Sequence, residues 1–456
     1  MDIEKLLIQP ESKTLEFKKD LTSLDPILKT IVAFANTAGG ILIIGRAPDG
    51  QLTGLKDVLK AEETLANSIA DSIRPSILPE IEIITVDKKD LLVVQVSHWK
   101  APFYLKKEGT PRGVYIRLGS TSRPASPELL AELQRSVLNL YFDQQPLTEL
   151  SKDALLIDKA LETLHATEAK LRSLGILVPT AKGLVPSIGG LILFGREEVR
   201  SALVPDARVS LARFLGSNKT TILDRLEVEG SIIDAVEEVA KFIRRNTRLS
   251  AEIKTMKRKD IPEYPPEAVR EALINALAHT DYSMTGSHIQ IAIFDDRLEI
   301  QNPGMLPFGF TIEDLKAGVS RIRNRVIVRT FHILELMEEW GSGYRRILDV
   351  CDAGGYPHPT WQELGTMMKV TFYPKPPTSQ RSQIIPEEKV EELTDRERAI
   401  LQLFNPKTSL HFREIFERLT PPISERMLRY NLAELKRKRL LASKGRGRAT
   451  VWYLYT

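Results

Sequence analysis

The pattern of apolar and polar positions divides the chain into five stretches. In residues 1–127 short apolar runs alternate with turns. ILKTIVAFANTAGG (27–40) has the spacing of an amphipathic helix closed by a glycine pair, and ILIIG (41–45) reads as a buried strand followed by the turn APDGQ. IEIITV, LLVVQV and VYIRLG are further strands, so this part is a small α+β domain. Residues 128–255 are mainly helical, a connecting region interrupted by GGLILFG (189–195) and ARVSLARFLG (207–216), which read as strands. Residues 256–375 return to α+β, with a helix over EALINALAHTDYS (271–283) and strands IQIAIF, RLEIQN and MKVTFY. Residues 376–393, rich in Pro, Ser, Gln and Glu, form a linker. Residues 394–456 form a small helical domain that ends in β-like TVWYLYT.

The length of 456 residues fits this division, since it calls for two to four domains. Hydrophobic content of 42% and charged content of 27% are those of a globular protein. No apolar run approaches the ~20 residues that span a bilayer, so no membrane partner is expected. The start MDIEKLLIQPESK lacks the basic and then apolar order of an export signal. One cysteine, Cys351, excludes a disulfide framework and a Cys-rich zinc site. A cytoplasmic setting is therefore expected.

The net charge of +4 says little, but its distribution says more: residues 423–448 hold nine Lys or Arg against Glu425 and Glu434. That excess suits a phosphate backbone. Thr394 is placed to cap a first helix, FREIFERL gives a second, and TPPISERMLRYNLAELKRKRLL a turn and a third. Met427, Leu428, Leu432 and Leu435 form the apolar stripe of the third helix. Arg426, Arg429, Lys436, Arg437, Lys438 and Arg439 lie mainly elsewhere on it. A hairpin follows, with Lys444, Arg446 and Arg448 at or beside its tip. Three helices and a basic hairpin make the winged helix-turn-helix pattern, in which the third helix enters the major groove of double-stranded DNA. A solvated charged helix with a tail hairpin is the plainer alternative.

One feature of the third stretch resists a purely structural account. Glu271 and Asn275 share a helical face, one turn apart, on a helix that is otherwise apolar. Asn is a poor helix-interior residue, and an unpaired buried amide costs about 1–3 kcal/mol.

Between Gly189 and Tyr373 the motifs GGLILFGRE, ARVSLARFLG, DIPEYPPEAVREALINALAHTDYS, DDRLEIQNPGMLP and EEWGSGYRRI resemble the RecG-like, divergent histidine-kinase-type (GHKL) ATPase region of bacterial and archaeal regulators. ESKTLEFK (11–18), AFANTAGGILIIG (33–45) and VYIRLGSTSRP (114–124) resemble a Schlafen AlbA-type domain, and a C-terminal winged helix is a common third part. The resemblance implies an α+β multidomain chain: an AlbA-type α+β domain, a GHKL-like α/β sandwich and a winged helix-turn-helix. No G-x-x-x-x-G-K-[ST] loop occurs in the sequence, so a helicase motor is unsupported.

The resemblance also implies roles. Asn275 would ligate Mg²⁺ held with ATP, and Glu271 would polarise the attacking water if ATP is hydrolysed. Asn302 stands where the family's adenine-binding Asp would, Gly304 matches the first glycine of that box, and the second is missing. An amide oxygen accepts more weakly than a carboxylate. Gly341 and Gly343 could bring backbone close to phosphates, or form a helix-entry turn. In RNA-cleaving Schlafen proteins two glutamates and an Asp bind a metal, which would here be Glu11, Glu16 and Asp49. The alternative is a scaffold whose glutamates pair with Lys and Arg. Arg112, Arg117, Arg123, Lys106 and Lys107 could contact phosphates of RNA or single-stranded DNA.

The leading expectation is a non-enzymatic DNA-binding transcriptional regulator, a homo-oligomer, that senses ATP and Mg²⁺. The alternatives are a Schlafen-like nuclease, as in phage defence, a slow ATPase, and an oligomeric nucleic-acid scaffold.

Overall fold

The computed structural model describes residues 2–253, 258–338, 342–376, 394–401, 403, 409–419, 424–438, 440–444 and 450–454. They divide into two compact units, Met1–Lys375 and Pro376–Thr456.

After a short helix at Ile3–Leu7, the first unit runs through β1 (Leu15–Lys18), α1 (Leu24–Asn36) and β2 (Gly40–Ile44), then α2 (Val58–Ser72), β3 (Glu80–Val86) and β4 (Lys89–Val96). β1 and β2 are parallel, and the sheet runs in the order β1-β2-β4-β3. Helix α1 is buried on the sheet because its Ile, Val, Ala and Phe side chains leave few polar groups to solvate. Of its two deeply buried polar residues, Thr30 donates within the helix to the Pro26 carbonyl and Asn36 is fully used. Asn36 donates to the carbonyls of Phe103 (2.9 Å) and Tyr115 (2.8 Å) and accepts from the Phe103 N–H (2.8 Å). The hairpin β5 (Tyr115–Leu118) and β6 (Thr121–Pro124) leads into α3 (Pro127–Val137), whose N-cap is Ser126.

A second, six-stranded sheet follows in the same unit. Its elements are α4 (Ile188–Phe194), β7 (Val209–Phe214), β8 (Ile222–Val228), α5 (Ile232–Asn246), α6 (Pro266–His279), β9 (Ile289–Ile293), β10 (Leu298–Pro303), α7 (Arg325–Ile333), α8 (Gly343–Gly354), β11 (Thr360–Leu364) and β12 (Met367–Phe372). The strand order is β8-β7-β9-β10-β12-β11, with β7 parallel to β9 in the register Val209↔Ile289. The sheet thus takes strands from both sides of the 255/256 boundary drawn from composition. One core joins α4, α5, α6 and α7 to the sheet. Leu273, Ile274 and Leu277 of α6 lie within it, each burial contributing about 1.5–3 kcal/mol.

GGLILFG is not a strand. It lies in α4, started by Ser187, whose Oγ accepts from the Gly190 N–H at 2.9 Å. All seven residues of α4 are buried, and such a run has no polar face to show a period. Its glycines serve packing, since a Cβ on Gly190 would stand 2.3 Å from the Ile176 carbonyl oxygen.

The second unit contains α9 (Asp395–Leu401), β13 (Ser409–His411), α10 (Phe412–Arg418), α11 (Glu425–Arg437), β14 (Leu441–Lys444) and β15 (Val451–Leu454). The strands are antiparallel in the order β13-β15-β14. Thr394 caps α9 in a reciprocal box, its Oγ1 accepting from the Glu397 N–H (3.3 Å) and its own N–H donating to Glu397 Oε2 (2.8 Å). Leu428, Leu432 and Leu435 of α11 are buried, but Met427 is 38% exposed. The apolar stripe is therefore narrower than expected, with the amide of Asn431 taken into the core instead. Among the described residues no helix is long and apolar enough to cross a membrane.

Candidate functional site

Helix α6 carries the polar pair that the sequence makes conspicuous. The Asn275 Nδ2 donates to Glu271 Oε1 at 3.2 Å, so each group gives the other a partner. Glu271 is 7% exposed, and burial raises its carboxyl above the usual range against the opposing pull of Arg346 and the Asn275 amide. Arg346 Nη1 lies 4.0 Å from Glu271 Oε2 and 3.0 Å from Glu338 Oε1.

Helix α8 begins directly against this pair. A Cβ on Gly343 would stand 2.7 Å from Glu271 Oε1 and 2.9 Å from Asn275 Nδ2, so a larger residue there would push the polar ends of the pair aside. On the opposite wall, β10 brings Asn302, whose Nδ2 donates to the Pro303 carbonyl at 3.2 Å. Gly304 follows at φ +103°, its N–H donating to the Thr366 carbonyl at 2.8 Å. Met368, Val370 and the Trp361 ring, tilted on Tyr344 at 4.7 Å, supply the apolar side.

The structure therefore brings Glu271, Asn275, Asn302, Gly304 and Gly343 to one cleft. Gly341 lies outside the described residues. The cleft also holds Arg321, Arg323, Arg346 and His279, whose imidazole is pushed down to about 4 by burial and by the Arg323 guanidinium. Sequence reasoning missed Arg323. The signal was the run RIRNR (321–325), three arginines within five residues just ahead of and at the start of α7. An oxygen-bearing pair, apolar walls and arginines at one opening can hold a phosphate-bearing ligand with a hard divalent cation.

The N-terminal acids are arranged otherwise. Leu15 and Phe17 face inward on β1, as alternation requires, and Glu16 lies on the other face. That face is buried too, with Glu16 at 7% exposure. Its Oε2 lies 2.9 Å from Arg117 Nη2, and Lys18 pairs with its Oε1. Glu11 Oε1 accepts from the Phe17 N–H at 3.1 Å, and Asp49 Oδ1 closes a turn by accepting from the Gln51 N–H at 3.0 Å. Glu11, Glu16 and Asp49 are thus spent on separate local contacts. Among the described residues no three His, Cys, Asp or Glu form a group that could hold a metal.

Arg117 requires a correction. It is 1% exposed, lies over the Phe34 ring at 5.0 Å and donates to Ser122 Oγ (3.1 Å) and the Ser12 carbonyl (2.6 Å). It is a packing and ion-pairing residue, out of reach of a phosphate backbone. Arg112 and Arg123 are exposed on the same domain, while Lys107 is paired with Asp25.

In the second unit, Arg426, Tyr430, Ala433 and Arg437 line the exposed face of α11. Arg429 stacks on Phe412 at 4.5 Å, and Lys436 donates to Ser443 Oγ at 2.8 Å, tying α11 to β14. Arg437 pairs with Glu434 at 2.7 Å, Lys438 with Glu397 at 2.9 Å, and Lys444 is exposed. Arg439, Arg446 and Arg448 lie outside the described residues.

Two family models match the chain. One is "Schlafen, AlbA_2", over residues 11–126. The other is "Putative ATP-dependent DNA helicase recG C-terminal", over residues 286–372, which begins after the helix that carries Glu271 and Asn275. The solved DIP2311 protein from Corynebacterium diphtheriae is 21% identical over 99% of this chain and 96% of its own, with a TM-score of 0.42. The N-terminal domain of a RecG-related protein from Nitrosomonas europaea is 30% identical over 27% of this chain and 90% of its own, with a TM-score of 0.22. No curated protein matches the chain. Two regions of the chain, in this order, match known families: residues 11–126 match an AlbA-type domain and residues 286–372 a divergent, RecG-like ATPase region, and together they support a nucleic-acid-related function.

Proposed function

We propose that this protein is a DNA-binding transcriptional regulator in which the cleft beside α6 senses a magnesium-bound nucleotide. The observation that carries the reading is the Glu271–Asn275 pair, turned into a cleft rather than into the core and facing Asn302 and Gly304. Asn275 supplies a neutral oxygen for Mg²⁺, which keeps its waters and the phosphates as its other ligands. Glu271 would orient one of those waters. Asn302, lacking charge, holds a base weakly, so the site favours sensing over rapid turnover. In the second unit the order of helices and strands supports a winged helix, with Arg426, Tyr430 and Arg437 facing the major groove. The nuclease reading is weaker, because Glu16 is already neutralised by Arg117 and Lys18.

Binding of the full chain to genomic DNA fragments tests the regulator reading. It predicts selective binding whose log–log salt slope is roughly −0.9 per phosphate neutralised. Arg426→Ala and Tyr430→Ala should each relax selectivity. Affinity and selectivity unchanged in both variants would overturn the assignment to α11. Cleavage of RNA or single-stranded DNA with Mn²⁺, lost in Glu11→Ala and Glu16→Ala, would overturn the non-enzymatic reading.

A further inference from the structure

The loop after β10, residues 304–310, forms one wall of the cleft and is also the seam to the AlbA-type domain. Met305 and Phe308 are buried among Val114 and Ile116 at β5 and Leu129 and Leu133 of α3. The Gly309 N–H donates to the Thr37 carbonyl at 2.5 Å. The Leu306 N–H donates to Glu363 Oε1 at 2.7 Å, and Glu363 in turn pairs with Lys13 at 2.9 Å. The loop therefore cannot shift without disturbing the N-terminal domain.

Arg323 lies across that loop. A Cβ on Gly304 would stand 2.0 Å from Arg323 Nη1, so the guanidinium covers the face of Gly304 that a ligand would approach. Arg323 Nη2 donates to the Met305 carbonyl (2.7 Å) and to Glu132 Oε1 on α3 (2.9 Å), and Nη1 to the His279 carbonyl (3.3 Å). Around it, Arg323 Nε, Glu132 Oε2 and Asp281 Oδ2 are buried without a hydrogen-bond partner among the described residues. A network with unpartnered atoms has other pairings open to it when a ligand arrives.

We propose that Arg323 couples the cleft to the AlbA-type domain: a phosphate-bearing ligand that reaches Gly304 draws the guanidinium away from Glu132 and loosens the seam formed by α3 and loop 304–310. The inference rests on the nucleotide reading of the cleft for its ligand, but not for the Arg323–Glu132 contact itself. A phosphate competes well with a carboxylate for guanidinium, because both match its planar fork. Ligand in the cleft and nucleic acid on the N-terminal domain then bias one equilibrium, and each changes the other's affinity by the same factor.

The test uses the full chain, Mg-ATP as probe, and the variants Glu132→Gln and Arg323→Lys. Glu132→Gln keeps the shape and removes the charge that holds Arg323. We expect it to tighten Mg-ATP binding about tenfold, within the usual span of coupling between sites. Without ligand it should raise amide hydrogen exchange in residues 304–310 and 114–118 together, as Mg-ATP does in the wild type. Arg323→Lys should uncouple the two segments, so that Mg-ATP no longer changes exchange at 114–118. If the wild type binds Mg-ATP but Glu132→Gln changes neither affinity nor exchange, the coupling is wrong and the cleft reading stands. If the wild type binds no Mg-ATP, the nucleotide reading fails, and exchange alone decides: a joint rise in both segments supports the coupling, and anything less overturns it.

Discussion

Two acidic sites in one compact unit use similar residues to opposite ends. At β1, Glu16 is buried against Arg117 and Lys18, and its charge is answered on the spot. At α6, Glu271 is equally buried, but its nearest cation, Arg346, is 4.0 Å away and half turned to Glu338. Its closest partner is the neutral amide of Asn275. The first arrangement holds structure together, and the second leaves an oxygen-rich pair open to a ligand. Burial does not separate the two cases. What does is whether a protein cation already occupies the position a metal or phosphate-bound metal would take.

The comparison can be broken at several points. Arg117→Ala should have the largest effect, leaving buried Glu16 with Lys18 as its remaining charged partner and its Oε2 uncompensated, at a cost of about 3–5 kcal/mol. Chemical denaturation of the full chain would read it as a lower midpoint. Next comes His279, held near 4 in the folded state against an ordinary value of 6.5. A folded pKa lowered in this way means that the unfolded chain binds the proton first, so stability is lost as pH falls from about 6.5 to about 4. We expect His279→Gln to remove on the order of 2 kcal/mol of that pH dependence, seen by comparing denaturation midpoints of both proteins across the window.

Gly343→Ala should cost about 1–3 kcal/mol, because the added methyl meets Glu271 and Asn275 at the start of α8. It should weaken any ligand of the cleft while leaving the N-terminal domain's exchange pattern intact. Arg346→Ala should have the smallest effect on stability, below about 1 kcal/mol, since its pairs are partly solvated. A drop as large as that of Arg117→Ala would erase the distinction between the two sites.

Much of this was legible in the sequence, for definable reasons. The Glu271–Asn275 pair stood out because polar residues at helical spacing on an apolar helix demand a partner. Thr394 was legible as a cap because the box is local. What failed was long-range or featureless. GGLILFG has no polar position to mark its period, and only Ser187 ahead of it announces a helix. Arg117 reads as a surface strand residue until Glu16 and the Ser12 carbonyl, more than a hundred residues upstream, are seen to close over it. Arg323 was silent because its meaning lies in Glu132, 191 residues away in sequence. The six-stranded sheet was split in the reading because β7 pairs with β9 across an intervening helical stretch. Local patterning shows which residues need a partner, and the tertiary fold decides which partner they receive.

The most direct test of the account is titration calorimetry of the full chain with ATP, ADP and GTP, with and without Mg²⁺, on the wild type and Asn275→Ala. The account predicts modest, magnesium-dependent binding with little preference among bases in the wild type. In Asn275→Ala the magnesium-dependent part should fall at least about tenfold with the fold intact, the loss of one hard oxygen ligand. Magnesium-dependent binding of none of the three nucleotides to the wild type would contradict it, and would mean that α6 carries its polar pair into a cleft that holds no nucleotide.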